Sequence, residues 1–298
     1  MYPRILAFLL LLAACRGPEP VLPPAPPHEP ATTAATPDVR MPSVEPAIPP
    51  SPIQAPEPAH LGVLFRVEAG GLLVPLACMD PRTKALASGA ACLEIVPGLA
   101  KVRTSTGEIL PIRGPQRVDC DPSGEHVQGL ALAARPLQRG GEDADFAWWP
   151  AQTLDVHRLA AATTRPKDIE ERVPALEAAV RRAAPQLKGK LHVEQDTTAD
   201  IDGDGRLDRL WAVTLRRGES EDLAFGGLFL ATARDPERVV TLIQADAERF
   251  RVLGAADLDG DGKSELVLYR SYSEGDSTSV VRVHAGSIEE IGTWGCGS

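Results

Sequence analysis

The chain has no surplus of positive charge. Its 31 Lys and Arg face 41 Asp and Glu across 298 residues, for a net charge of −10 at neutral pH. Phosphate backbones are held by clustered Lys and Arg, so the balance argues against nucleic acid as the main partner. Long apolar runs are also missing, and the longest, at the amino terminus, is far too short to span a bilayer. No two cysteines lie at C-x₂₋₄-C spacing and no His lies close to a Cys, which argues against structural zinc. There is no G-x-S-x-G elbow, H-E-x-x-H, P-loop or G-x-G-x-x-G after a strand. His126, His157, His192 and His284 are scattered rather than clustered, and His192 and His284 sit in alternating apolar contexts that suit structural residues. Composition is otherwise that of a soluble globular chain, with 43% hydrophobic and 24% charged residues.

What is present begins with an address. Met1-Tyr2-Pro3-Arg4 carries one positive charge, Ile5–Leu12 is apolar, and Leu12-Ala13-Ala14-Cys15 ends in small residues before a cysteine. A charged start, an apolar middle and a small-residue exit make a secretory signal over residues 1–14. The placement of Cys15 resembles the lipobox of bacterial lipoproteins. That resemblance implies cleavage before Cys15 and acylation of its sulfur and new amine, so that the membrane is a partner through the amino-terminal lipid. Two or more acyl chains suffice for stable anchoring at about 0.8 kcal/mol for each buried CH₂. Residue 16 is Arg rather than Asp, which by the same resemblance favours the outer membrane within the cell envelope.

Proline is the compositional outlier, and 15 of the 28 prolines fall between Arg16 and Pro58. Proline lacks an N–H and biases its predecessor away from helix, so residues 15–58 read as an extended tether behind the lipidated cysteine. About 40 residues at ~3.1 Å each could reach on the order of 100 Å.

The remainder has two textures. Residues 59–160 carry short, punctuated apolar runs at Leu61–Val67, Leu72–Leu76, Cys92–Val96, Val102–Ile112 and Leu130–Ala134, with a hairpin turn expected at Thr106-Gly107. A small β domain is the reading. Within 161–190, Ile169, Val173, Leu176, Val180 and Ala183 recur at helical spacing, and Pro174 should kink that helix or start a second segment. Strand texture returns over 191–298, at Leu210–Leu215, Leu223–Ala231, Val239–Ile243, Leu266–Tyr269 and Val280–His284. The expected fold is mainly β (α+β), with one helical connector. Phe146-Ala147-Trp148-Trp149 reads as buried core, with a sugar-stacking platform as the alternative, and Trp211 and Trp294 read as core.

Beyond Cys15 there are four cysteines, Cys78, Cys92, Cys120 and Cys296. An even number in an oxidising compartment predicts two disulfides with three possible pairings. Cys78 with Cys92 is preferred because it closes a short segment, which leaves Cys120 for Cys296.

Two acidic loops carry the chemistry. Asp200-Ile201-Asp202-Gly203-Asp204-Gly205-Arg206-Leu207-Asp208 and Asp257-Leu258-Asp259-Gly260-Asp261-Gly262-Lys263-Ser264-Glu265 share the template D-x-D-G-D-G-x-x-[DE], offset by 57 residues. Carboxylates at positions 1, 3 and 5 can converge on one point around a tight turn. Glycine at position 6 permits the reversal, the carbonyl of Arg206 or Lys263 can then turn inward, and Asp208 or Glu265 closes the shell. Hard oxygen donors in that number suit Ca²⁺, so two calcium sites are expected. An EF-hand needs a carboxylate at position 12, where this chain has Trp211 and Leu268. The loops, with their apolar flanks Val252-Leu253-Gly254-Ala255-Ala256 and Glu265-Leu266-Val267-Leu268, resemble the FG-GAP and VCBS-type repeats of extracellular proteins. That resemblance covers about residues 190–298 and implies antiparallel, blade-like sheets with a calcium loop between successive strands. Two repeats are fewer than a closed propeller requires, so a pair of blade-like sheets packed on the first β region is expected. The functional expectation is a calcium-binding, lipid-anchored envelope protein with a structural or binding role and an envelope protein or polysaccharide as partner. An envelope-polymer or phospholipid hydrolase and a surface adhesin are the alternatives, and enzyme activity is not expected.

Overall fold

A computed structural model describes residues 62–98, 100–119, 126–136, 145–159, 173–216, 222–284 and 286–297. The signal 1–14, Cys15, the tether to residue 58, Ile169, Cys120 and the side chain of Cys296 lie outside the described residues. The protein is mainly β, built from antiparallel sheets, with two helices among the described residues.

Seven strands form the first sheet: β1 (Val63–Glu68), β2 (Leu72–Asp80), β3 (Ala85–Ala87), β4 (Lys101–Thr104), β5 (Ile109–Asp119), β6 (His126–Leu132) and β7 (Phe146–Trp149). Their order is β1-β7-β4-β5-β6-β2-β3, and a further β1–β2 pairing closes the circuit. Closure leaves the strands of the ring without unpaired edges. Alternation along each strand then gives the sheet two apolar faces. Val63, Phe65, Leu73, Cys78 and Val102 point into the ring, whereas Leu64, Val74, Leu76 and Trp148 point out of it toward the rest of the protein. The expected hairpin joins β4 to β5, with Gly107 at φ 88° and its N–H donating to the Thr104 carbonyl.

The run Cys92–Val96 is not a strand. It belongs to a short helix, α1 (Ala90–Leu93), and the turn that follows. Cys92 is bonded to Cys78 with the Cα atoms 5.5 Å apart, which draws the segment onto β2 and buries Cys92 in the ring interior. The preferred disulfide is therefore present. The Cys120–Cys296 pairing falls outside the described residues.

Two four-stranded meanders follow. The first is β9 (Leu191–Ala199), β10 (Asp208–Arg216), β11 (Leu223–Thr232) and β12 (Asp235–Ala245); the second is β13 (Arg249–Ala256), β14 (Glu265–Tyr272), β15 (Gly275–His284) and β16 (Ser287–Gly297). β8 (Val156–Arg158), from the carboxyl end of the 59–160 region, adds to the free edge of β13 with His157 opposite Ala255. β8 covers only Gly254–Ala256 on that edge. The neighbouring backbone N–H and C=O of Val252 are met instead by the side-chain amide of Gln195, at 2.7 and 2.8 Å. Gln195 is 1% exposed, so its amide substitutes for a strand where water cannot reach.

The helix, the two meanders and the ring stack in layers. Leu210, Ala212, Leu228 and Leu230 of the first meander face Val252, Leu266, Leu268 and Val281 of the second. The opposite face of the second meander, Leu253, Val267, Val280 and Trp294, packs on Leu64, Leu76, Phe146 and Trp148 of the ring. The outer face of the first meander, Trp211, Val213, Phe225 and Phe229, is covered by α2 (Pro174–Ala183) through Leu176, Ala179 and Val180. Central strands thus bury both faces, which is why β14 reads Leu-Val-Leu without polar alternation. Pro174 occupies the first turn of α2, where a missing N–H costs nothing, so it starts the helix rather than kinking it. Phe146 and Trp148 are 1% and 6% exposed and serve the interface between layers, not a surface platform. Trp211 and Trp294 are buried, as expected of core.

Candidate metal centre

Each acidic loop lies between the first two strands of a meander, loop 1 between β9 and β10 and loop 2 between β13 and β14. The same hydrogen bonds fold both. The position-1 carboxylate accepts the N–H of position 4 and of position 6: Asp200 takes Gly203 and Gly205, each at 2.9 Å, and Asp257 takes Gly260 at 2.7 Å and Gly262 at 2.9 Å. Position 3 accepts from position 5, with Asp202 bound to Asp204 at 3.3 Å and Asp259 to Asp261 at 3.2 Å. Position 5 accepts from position 7, with Asp204 bound to the Arg206 N–H at 2.9 Å and Asp261 to the Lys263 N–H at 2.8 Å. Position 9 reaches back to the N–H of position 2, joining Asp208 to Ile201 at 3.0 Å and Glu265 to Leu258 at 2.9 Å. Short polar side chains that bond their own backbone hold such tight turns, and glycine at positions 4 and 6 supplies the positive φ they need.

Ligand atoms of Asp200, Asp202 and Asp204 lie within 4.8 Å of one another, as do those of Asp257, Asp259 and Glu265. Both acidic groups can hold a metal ion. One of the four predicted carboxylates stands apart in each, Asp208 in the first loop and Asp261 in the second. Asp208, 1% exposed, spends its second oxygen on the N–H of Ala233 at 2.8 Å. Glu265 is one methylene longer: one oxygen caps Leu258, the other accepts from Arg282, and the carboxylate still belongs to the group. In loop 2 Asp261 turns outward, with its carboxylate 3.9 Å from the Lys263 ammonium. Arg206 and Lys263 present their backbone N–H groups to Asp204 and Asp261.

Two arginines that the motif does not contain complete the electrostatics. Arg234, in the β11–β12 turn, donates to Asp204 at 2.8 Å and lies 3.9 Å from Asp202. The Arg234 guanidinium holds the Asp204 carboxyl below its usual range. Arg282 on β15 donates to Glu265 at 3.0 Å and also pairs with Asp259. Burial nevertheless pushes the fully buried Glu265 carboxyl above its usual range. Sequence reading missed both arginines because they lie far from the loops along the chain. One signal pointed to Arg282, a lone charge in the apolar run Val280–Val283, where a buried charge requires a partner.

The loops also touch each other. Ser264 donates its hydroxyl to the Asp200 carbonyl at 2.8 Å and its N–H to the Ile201 carbonyl at 3.2 Å. A Cβ at Gly203 would sit 2.1 Å from the Gly262 carbonyl oxygen, so only glycine lets the two backbones approach this closely. No protein-family model, no curated protein and no solved structure matches the chain.

Proposed function

We propose that the protein is a calcium-binding, lipid-anchored component of the cell envelope, held at the outer membrane through Cys15, with a structural or binding role. The observation that carries this reading is the repetition of one hydrogen-bonded acidic turn in two sheets, each gathering three carboxylates within 4.8 Å. Oxygen donors without thiolate or imidazole suit a hard cation, and a flexible set completed by carbonyl or water suits Ca²⁺ better than the smaller Mg²⁺. The carboxylates of Asp200, Asp202, Asp204, Asp257, Asp259 and Glu265 would hold the ions, with Asp208 and Asp261 supporting the turns. A bound ion would tie the first two strands of each meander and offset repulsion among close acids. Equilibrium titration of the purified protein with calcium tests this. Two equivalents are expected, with uptake lost in the Asp204→Ala, Asp259→Ala double variant. Absence of uptake by the unaltered protein at millimolar calcium would refute it.

A further inference from the structure

The two meanders separate at their loop end and leave a cleft of about 440 Å³. That volume lies in the range of small-molecule sites, roughly 300–1,000 Å³. Its floor is the inter-sheet core coming to the surface. Ile201 and Leu230 are buried, and Val240 and Val283 are half-buried. This floor is aliphatic and mostly branched. Its rim carries Arg238, Lys263 and His284. Arg238 lies two residues before Val240 on β12, which places it on the face turned toward the second meander.

The charges on this rim are unequal in availability. Asp208 has both carboxylate oxygens on backbone N–H groups, and Asp202 accepts from Asp204 and faces Arg234. Lys263 has only a distant partner in Asp261, at 3.9 Å. Among the described residues neither the Arg238 guanidinium nor the exposed His284 ring has a hydrogen bond or ion pair; His284 is thus not the satisfied structural residue its sequence context suggested. Asp235 also stands on the rim. A guanidinium fork matches carboxylate and phosphate oxygens pairwise. With Asp202, Asp208 and Asp235 in the same lining, a singly charged carboxylate fits better than a dianionic phosphate, and the aliphatic floor suits a branched apolar body.

We propose that the cleft between the meanders binds a small organic carboxylate with a branched aliphatic body, its head on Arg238 and its body on Ile201, Leu230, Val240 and Val283. Arg238 and Val240 belong to neither acidic loop, but Ile201, Asp202 and Lys263, which also line the cleft, do. Titration with and without calcium is therefore what distinguishes failure of this site from failure of the calcium reading.

The test is calorimetric titration of the full chain with 4-methylpentanoate and with its neutral amide, in calcium and again in chelator. Saturable binding of the acid is expected in both media, at least tenfold tighter than the amide. Arg238→Gln should remove the preference for the acid, and Val240→Trp should abolish binding by filling the floor. The Arg238→Gln protein should melt with the unaltered one, since Arg238 makes no described contact. Failure of the acid to bind, equal binding of acid and amide, or an undiminished preference in Arg238→Gln would overturn the proposal. Loss of binding in chelator alone would also overturn it, by showing that a cation rather than Arg238 holds the carboxylate.

Discussion

The hydroxyl of Ser264 in the second acidic loop donates to the backbone carbonyl of Asp200 in the first, at 2.8 Å. Two turns 57 residues apart in the sequence therefore share one surface, and their closest approach is made at Gly203. Gly203 and Gly205 have nearly the same backbone, φ 73° and φ 78°, but only Gly203 has a neighbour in the way of a side chain. Alanine at either position meets the same left-handed strain. At Gly203 it must also push Gly262 aside, an overpacking that costs typically about 1–3 kcal/mol. Urea denaturation should accordingly show Gly203→Ala less stable than Gly205→Ala by that margin. Equal losses would mean that the loops are not in contact in solution.

Arg282 is the counter-charge of the second loop, bonded to a Glu265 side chain that is fully buried. Arg282→Gln leaves that carboxylate with the Leu258 N–H alone, and a stranded polar group costs about 1–3 kcal/mol. The loss should be largest in chelator and smaller in saturating calcium, where the cation supplies the missing positive charge. Thermal melting of the variant under both conditions measures the difference, and an identical loss in both would separate Arg282 from the metal site.

The loops and most strands were legible because their determinants are local. Four acids and two glycines at fixed spacing can be read without knowing what lies opposite, and Leu210–Leu215 or Leu266–Tyr269 need only their own texture. What escaped reading depends on contacts between distant segments. Gln195 looks like an ordinary polar residue of a half-exposed strand until β13 is placed beside it with Val252 unpaired. Cys92–Val96 has the composition of a strand, and the disulfide to Cys78 holds it in a helical turn instead. β8 lies within the 59–160 region by sequence yet completes the sheet of the second meander, because the edge of β13 requires a partner.

Leu176 anchors α2 over the outer face of the first meander, and it is fully buried against a cluster that includes Trp211 and Phe229. Leu176→Ala should cost about 2–5 kcal/mol. Tryptophan emission should shift to longer wavelength, because Trp211 loses its cover. Denaturation followed by fluorescence checks both, and an unshifted spectrum with unchanged stability would show that α2 does not pack there.

Lipid attachment is tested at a single atom. Cys15→Ser removes the sulfur that the lipobox resemblance assigns to acylation. The variant should take up no labelled palmitate and should leave the membrane fraction. Continued labelling and pelleting would place the anchor elsewhere.

Calcium should stabilise the fold in proportion to its binding. An ion that binds only the folded state adds RT ln(1 + [L]/Kd), about 2.7 kcal/mol for each site at a hundredfold excess over Kd. Chelation should therefore lower the melting temperature, and magnesium should restore little of it, because it demands a near-ideal octahedral shell and gives up its waters reluctantly. The two loops make a sharper test than the total. Asp204→Ala removes a carboxylate that gathers with Asp200 and Asp202, while Asp261→Ala removes one that stands outside its group. Asp204→Ala should abolish uptake at the first loop, whereas Asp261→Ala should only weaken the second. Contact through Ser264 and Gly203 should then carry the effect across, so that each single variant lowers the affinity of the unaltered loop as well. Calorimetry of both variants resolves the two steps. A second loop indifferent to the first would make them independent sites, and melting curves unmoved by chelator and by millimolar calcium would reduce both to acidic turns held by their own backbone hydrogen bonds and by Arg234 and Arg282.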